Sequence, residues 1–359
     1  MVDTEYFETF ADRDWETDFE GEPVRFAMIG LGWWTEEQAI PAVEQSAHCE
    51  TTVLVSSSRE KAQAKMGLAE TITDAITYEE FHDGAATDAY DAVYVVTPNA
   101  LHREYVESAA RHGKAILCEK PMTATVEEAE RMLETCEEHD ATLMIAYRMQ
   151  TEPAIRRARE LVADGTLGEP VFVQSNMSQP LLELVPDPDQ WRLDPALAGY
   201  GSSVMDLGIY SVNTSRFVLD EDPIAVQATM SASHDAFADV PDERSSFQLH
   251  FPDDVVASCT ASQNAHLSSH FRVVGTEGEL VVEPTYFPWN DREVTLSVDG
   301  TTVAVEFEQI DQMTEEFDYF ATRLRAGENH HADGEHGLTD MRVLEAIYEA
   351  AETGGTVSL

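Results

Sequence analysis

Lysine is almost missing from this chain of 359 residues: only Lys61, Lys65, Lys114 and Lys120 are present. Basic residues number 22 against 68 acids, giving a net charge of −46, and the acids run from Asp3 to Glu352 with no basic patch among them. Nucleic acid and anionic membranes need clustered Lys and Arg to neutralise phosphates, so neither is expected as a partner. Cysteine is scarce too. Cys49, Cys118, Cys136 and Cys259 lack CxxC spacing and the density of a disulfide framework, and read as buried free thiols. No apolar run reaches the ~20 residues that span a bilayer, and the first residues are acidic where a signal peptide is basic. A soluble protein of the cytoplasm is expected. His330, His331 and His336 sit in a Gly/Asp-rich acidic stretch and read as solvated, so no metal is expected.

What the chain does have is an ordinary core composition, 43% apolar and 9% aromatic, so its acidity is not that of a disordered tail. A dispersed negative surface with few lysines suits a high-salt cytosol, where screening makes like-charge repulsion tolerable. The length suggests two domains. Residues 1–22 mix acids with Tyr6, Phe7, Phe10, Trp15 and Phe19 and read as an arm that docks through those rings or frays. Over 23–149, apolar runs at 24–29, 52–55, 92–96, 115–117 and 142–146 alternate with helical stretches such as 100–111 and 126–139. This is the pattern of a doubly wound α/β domain of Rossmann type with buried parallel strands. Over 150–359, helices at 153–163 and 205–219 accompany consecutive strand-like segments from 224 to 307, and two helices close the chain. That order predicts an α+β domain with a large, open, mostly antiparallel sheet.

Candidate chemistry lies at strand ends. Gly30 and Gly32, followed by Trp33 and Trp34, turn the first strand into a helix, where backbone N–H groups can meet a pyrophosphate; Thr35 stands where a third Gly or Ala is usual. After the second strand, an NAD enzyme carries an acid for the ribose 2′-hydroxyl. This chain has Ser56, Ser57, Ser58 and Arg59 instead, hydroxyls and a guanidinium suited to a 2′-phosphate, which predicts NADP. Thr97, Pro98, Asn99 and His102 follow one later strand, and Glu119 and Lys120 another, at the carboxyl edge where open α/β sheets bind ligands.

The sequences TPNALH at 97–102 and EKP at 119–121, with the glycine turn before them, resemble the glucose-fructose oxidoreductase and inositol dehydrogenase family. Residues 199–210, GYGSSVMDLGIY, are similar to that family's third motif, with Tyr210 where many members have His. The resemblance covers nearly the whole chain and is nearest to the sugar-oxidising, Tyr-bearing members. It implies NADP-dependent oxidation of an aldose, D-xylose foremost, at C1 to the lactone. It also implies a homo-oligomer built through the open sheet. The residue types fit that chemistry. Asp206 and Tyr210 are four apart on one helix face. Tyrosine, with an ordinary pKa of about 10, is a poor base until a nearby ammonium favours the phenolate, and Lys120 is the candidate cation. Lys120, Asp206 and Tyr210 are therefore the expected catalytic set. Arg148 and Asn176 are further substrate candidates, and Arg148, Trp191 and Arg192 further cofactor candidates. His102 either packs under the nicotinamide or fills space. Two alternatives stay open: a glucose-fructose oxidoreductase proper, with tightly held NADP, and a non-catalytic dinucleotide sensor.

Overall fold

The computed structural model describes residues 9–13, 15–16 and 21–359. The chain divides into two compact units, one of residues 14–148 and 311–339, the other of residues 1–13, 149–310 and 340–359.

The first unit is built on six parallel strands, β1 (Val24–Ile29), β2 (Cys49–Ser56), β3 (Asp74–Thr77), β4 (Ala92–Val95), β5 (Ala115–Glu119) and β6 (Leu143–Ala146), in the order 3-2-1-4-5-6. This is the doubly wound order in which the strand sequence reverses beside β1, and the carboxyl ends of β1 and β4 flank that switch point. β1 and β4 are buried almost throughout, as strands covered on both faces must be. The helices α1 (Ile40–Gln45), α2 (Arg59–Gln63), α3 (His102–Arg111) and α4 (Val126–Glu138) lie between the strands in sequence. Two are capped by the residue types expected: Ser58 Oγ accepts from Lys61 N at 3.2 Å, and Thr125 Oγ1 from Glu128 N at 3.3 Å.

The second unit carries α5 (Pro153–Ala163) and a nine-stranded sheet. Its strands are β7 (Pro170–Pro180), β8 (Ala225–Ser231), β9 (Arg244–His250), β10 (Val256–Ser262), β11 (Asn264–Gly275), β12 (Gly278–Glu283), β13 (Glu293–Val298), β14 (Thr301–Val305) and β15 (Val357–Ser358). They run in the order 14-13-12-11-7-10-9-8-15, antiparallel except where β7 pairs with β10. The alternation along β9, with Ser245, Phe247 and Leu249 buried, shows that one face is covered. Helix α6 (Ile209–Leu219) lies on that face, where Ser211 Oγ is 2.7 Å from Ser175 Oγ of β7.

The division differs from a simple split after residue 149. Helix α7 (Gln312–Ala326) returns to the first unit, because its Phe317 packs edge-on to Phe26 of β1 at 5.1 Å between ring centroids and also meets Tyr94 of β4. Helix α8 (Gly334–Thr353) begins in the first unit and ends in the second. Of the arm's aromatic residues, Phe10 is buried against Phe307 in the second unit, its carbonyl accepting from Arg157 Nε at 2.8 Å. Trp15 packs edge-on to Tyr319 in the first unit. Tyr6, Phe7 and Phe19 lie outside the described residues.

Candidate active site

In the first unit the glycine turn is dictated by space. Gly30 has φ +97°, and a Cβ there would fall 2.4 Å from the Val96 carbonyl oxygen, so no other residue fits. A Cβ on Gly32 would meet nothing within 4 Å, which leaves its backbone approachable. Thr35, the departure from the usual third glycine, is buried and donates from Oγ1 to the Gly30 carbonyl at 2.5 Å, tying the turn shut. Trp33 is exposed, whereas Trp34 turns inward and donates from Nε1 to Tyr94 OH at 2.9 Å.

At the end of β2, Ser56 is fully buried, and its hydroxyl has no hydrogen-bond partner among the described residues. Ser57 is exposed, and Ser58 is the cap of α2. Arg59 donates to the Ala75 carbonyl at 2.7 Å and pairs with Glu80. The Thr77 backbone N–H and the Arg59 guanidinium hold the Glu80 carboxyl below its ordinary range.

After β4, Pro98 leads into a turn in which Asn99 is buried and Thr97 keeps a buried hydroxyl without a partner among the described residues. His102 is fully buried, with Nε2 2.8 Å from the Thr97 carbonyl and Nδ1 3.1 Å from the Pro121 carbonyl. Burial lowers its pKa to about 4, so the ring is neutral and carries one proton. His102 thus ties the loop after β4 to the loop after β5. Glu119 turns toward Tyr94, whose hydroxyl donates to it at 2.5 Å, and also accepts from its neighbour Lys120 N at 3.1 Å. Lys120 is half-buried at the carboxyl end of β5. Arg148 is buried, donates to Gln312 Oε1 and lies 5.6 Å from the Trp34 ring.

In the second unit, the segment before α6 is held by a residue the sequence did not single out. Asp242 accepts from Ser202 N, Val204 N and Tyr348 OH, each at 2.7 Å. Gly201 is required there, since a Cβ would fall 2.3 Å from Asp242 Oδ1. The following turn, Val204–Gly208, is wound as a π-helix and carries Asp206, and α6 carries Tyr210. Arg192 Nε donates to Asp206 Oδ2 at 2.9 Å, with its guanidinium 4.4 Å from the Trp191 ring. Gln263 Nε2 donates to the same oxygen at 2.8 Å. The Tyr210 ring lies 5.4 Å from that of Tyr286. The structure therefore joins Arg192, a cofactor candidate from the sequence, to Asp206, and the other candidate Trp191 to Arg192. Asn176 needs correction: its parity on β7 is opposite to that of Ser175, so it faces away from α6. There it donates to the Ser268 carbonyl at 3.2 Å and accepts from Thr260 at 2.8 Å.

A doubly wound sheet with this glycine turn and a lysine at the carboxyl edge defines a dinucleotide-dependent oxidoreductase. Residues 24–147 match the model of an oxidoreductase family with an NAD-binding Rossmann fold, and residues 155–281 match the GFO/IDH/MocA C-terminal domain; the chain belongs to this family. It is 64% identical to "D-xylose 1-dehydrogenase [NADP(+)]" of Haloarcula marismortui over 98% of this chain and 97% of that protein. It is 35% identical to "D-xylose 1-dehydrogenase (NADP(+)) 2" of Haloferax volcanii over 93% of this chain and 99% of that one. Among solved structures, the aldose-aldose oxidoreductase of Caulobacter crescentus, complexed with glycerol, superposes with a TM-score of 0.87 at 34% identity, covering 94% of this chain and 100% of that one.

Proposed function

We propose that this protein oxidises D-xylose at C1 to the aldonolactone with NADP as acceptor, and related aldoses more slowly. The observation that carries this reading is the 64% identity to a D-xylose 1-dehydrogenase across nearly both full lengths. The chain's own residues fit the cofactor. The approachable backbone at Gly32, the hydroxyls of Ser56 and Thr97 that have no partner among the described residues, and the guanidinium of Arg59 suit a phosphorylated dinucleotide. No carboxylate stands at 56–59 to prefer a free ribose hydroxyl. When bound, NADP supplies the hydride acceptor. Tyr210 takes the proton of the C1 hydroxyl, and the Lys120 ammonium favours the phenolate that does so. Asp206 accepts a hydrogen bond from a sugar hydroxyl and fixes its orientation.

A second reading, in which tightly held NADP shuttles hydride between two aldoses, is favoured by the likeness to the aldose-aldose oxidoreductase. One experiment separates the two. Purified protein in molar KCl, given D-xylose and free NADP, is expected to form one NADPH per xylose consumed. Bound dinucleotide surviving dialysis, with sugar interconversion and no net NADPH, establishes the second reading. In the same assay Lys120→Met is expected to abolish turnover while NADPH affinity stays within about tenfold, since the lost charge acts on the transition state. Near-normal turnover removes Lys120 from the mechanism.

The nine-stranded sheet supports assembly. Its face away from α6 shows Gln174, Asn176, Ser258 and Thr260 in a polar row with exposed Phe172 beside it, a surface that a second copy covers in the proposed homo-oligomer. Light scattering in molar KCl reads the mass. A high-salt cytoplasm is the setting proposed from the charge of −46.

A further inference from the structure

We propose that Gln263, locked by Gln179, is a positioning residue that sets the orientation of the Asp206 carboxylate. This rests on the proposed role of Asp206 at the sugar. Gln263 is completely buried at the junction of β10 and β11. Its backbone is pinned from three sides: its N–H donates to Ser203 Oγ at 3.0 Å and shares the Glu243 carbonyl at 3.2 Å, and its carbonyl accepts from Leu181 N at 2.8 Å. The side chain therefore grows from a fixed root. At its tip, Gln179 Nε2 donates to Gln263 Oε1 at 2.7 Å, and Gln263 Nε2 donates to Asp206 Oδ2 at 2.8 Å.

The direction of this relay is forced. A flipped Gln263 would set its carbonyl oxygen against a carboxylate oxygen, two acceptors in a buried space, and would turn its amide nitrogen on the donor of Gln179. Arg192 adds a second donor on Oδ2, but it stands on a short turn with its side chain 29% exposed, so the rigid constraint comes from Gln263. Two donors on one oxygen fix the plane of the carboxylate and hence the direction in which Oδ1 points. A group that must meet a sugar hydroxyl in one geometry gains from that, because displacement by about 1 Å costs up to about a hundredfold in rate.

The isosteric Gln263→Glu keeps the shape and, once its carboxyl is ionised, removes the donor. Burial and the neighbouring Asp206 carboxylate raise the pKa of that carboxyl, so above that pKa, on the alkaline side, it is expected to lower kcat for D-xylose by about ten- to a hundredfold while KM for NADP changes by less than about twofold. As the pH falls and the introduced carboxyl gains a proton, an O–H donor returns, so the ratio of variant to wild-type kcat is expected to climb. A merely structural residue would not produce that acid rescue. Gln179 is half-exposed, so Gln179→Leu is tolerable to the fold. It frees the amide to rotate and is expected to give a smaller loss in kcat, again with KM for NADP unchanged. Wild-type kcat in both variants, alongside a dead Asp206→Asn, overturns the positioning role and leaves the reading of Asp206 intact. Full activity in Asp206→Asn overturns both.

Discussion

Arg59, proposed to meet the cofactor 2′-phosphate, already has a carboxylate partner. In the structure its guanidinium is paired with Glu80, an exposed carboxylate that also closes a capping box by accepting from Thr77 N at 2.8 Å. A 2′-phosphate reaching Arg59 competes with that pair, and the phosphate offers more acceptors and more charge. Arg59→Ala is expected to weaken NADP relative to NAD by about 1.5–3 kcal/mol, roughly ten- to a hundredfold in the ratio of KM values, the range of a hydrogen bond between charged groups. Glu80→Gln keeps an acceptor for Thr77 but releases Arg59, so it is expected to tighten NADP a few-fold and leave NAD alone. Equal effects on both cofactors would assign Arg59 to the fold only. Thr35 carries a related lesson: read alone it weakens the glycine motif, yet its hydroxyl binds the Gly30 carbonyl and reinforces the same turn.

At the scale of elements, α7 brings a carboxyl where none is anticipated. Glu316 is fully buried, and neither oxygen has a hydrogen-bond partner among the described residues. Burial raises its pKa well above the ordinary range, the charge of Glu119 adds to the rise, and Arg148 opposes it. The folded chain thus binds this proton more tightly than the unfolded one. Below about pH 4.3 both states carry it and nothing is lost; as pH rises further the unfolded state ionises first and stability falls until the folded pKa is passed. The slope from one such group is at most about 1.4 kcal/mol per pH unit. Glu316→Gln is expected to remove that decline, so its advantage in denaturant midpoint over wild type grows with pH. A constant difference across pH would mean that the group ionises alike in both states. The sequence made β1 legible because 24–29 is one apolar run, but it hid β3, whose four residues include an exposed Asp74. It hid the home of α7, since an amphipathic stripe does not name the sheet it packs on. On β7 the buried residues include Ser175, whose hydroxyl meets Ser211 of α6, and Ser178, whose hydroxyl donates to the His266 carbonyl on neighbouring β11, so the polar and apolar alternation that would have placed Asn176 outward is blurred. Asp206 and Tyr210 were legible as a local motif. Gln263 was not, because only the folded sheet brings it to Asp206 from 57 positions away.

Across the whole molecule the −46 charge sets two electrostatic effects against each other. Salt weakens attractive pairs such as the exposed Arg131 with Glu127 on α4 and the half-exposed Arg59 with Glu80. Each such pair contributes about 0–1 kcal/mol, so the total at stake is small. Salt also screens the repulsion among 68 acids opposed by only 22 bases, which acts over the entire surface and reaches about 10 Å at 0.1 M but only about 3 Å at 1 M. Relief of that repulsion outweighs the weakened pairs, so the thermal midpoint is expected to rise steeply with KCl up to about 1 M, where screening is nearly complete. Sulfate should raise it further beyond that point, because exclusion from the surface strengthens burial by a separate route. Thermal melts in KCl and in potassium sulfate at matched ionic strength separate the two contributions. A midpoint that stays flat or falls between low salt and 1 M KCl would show that the acidic surface does not limit stability.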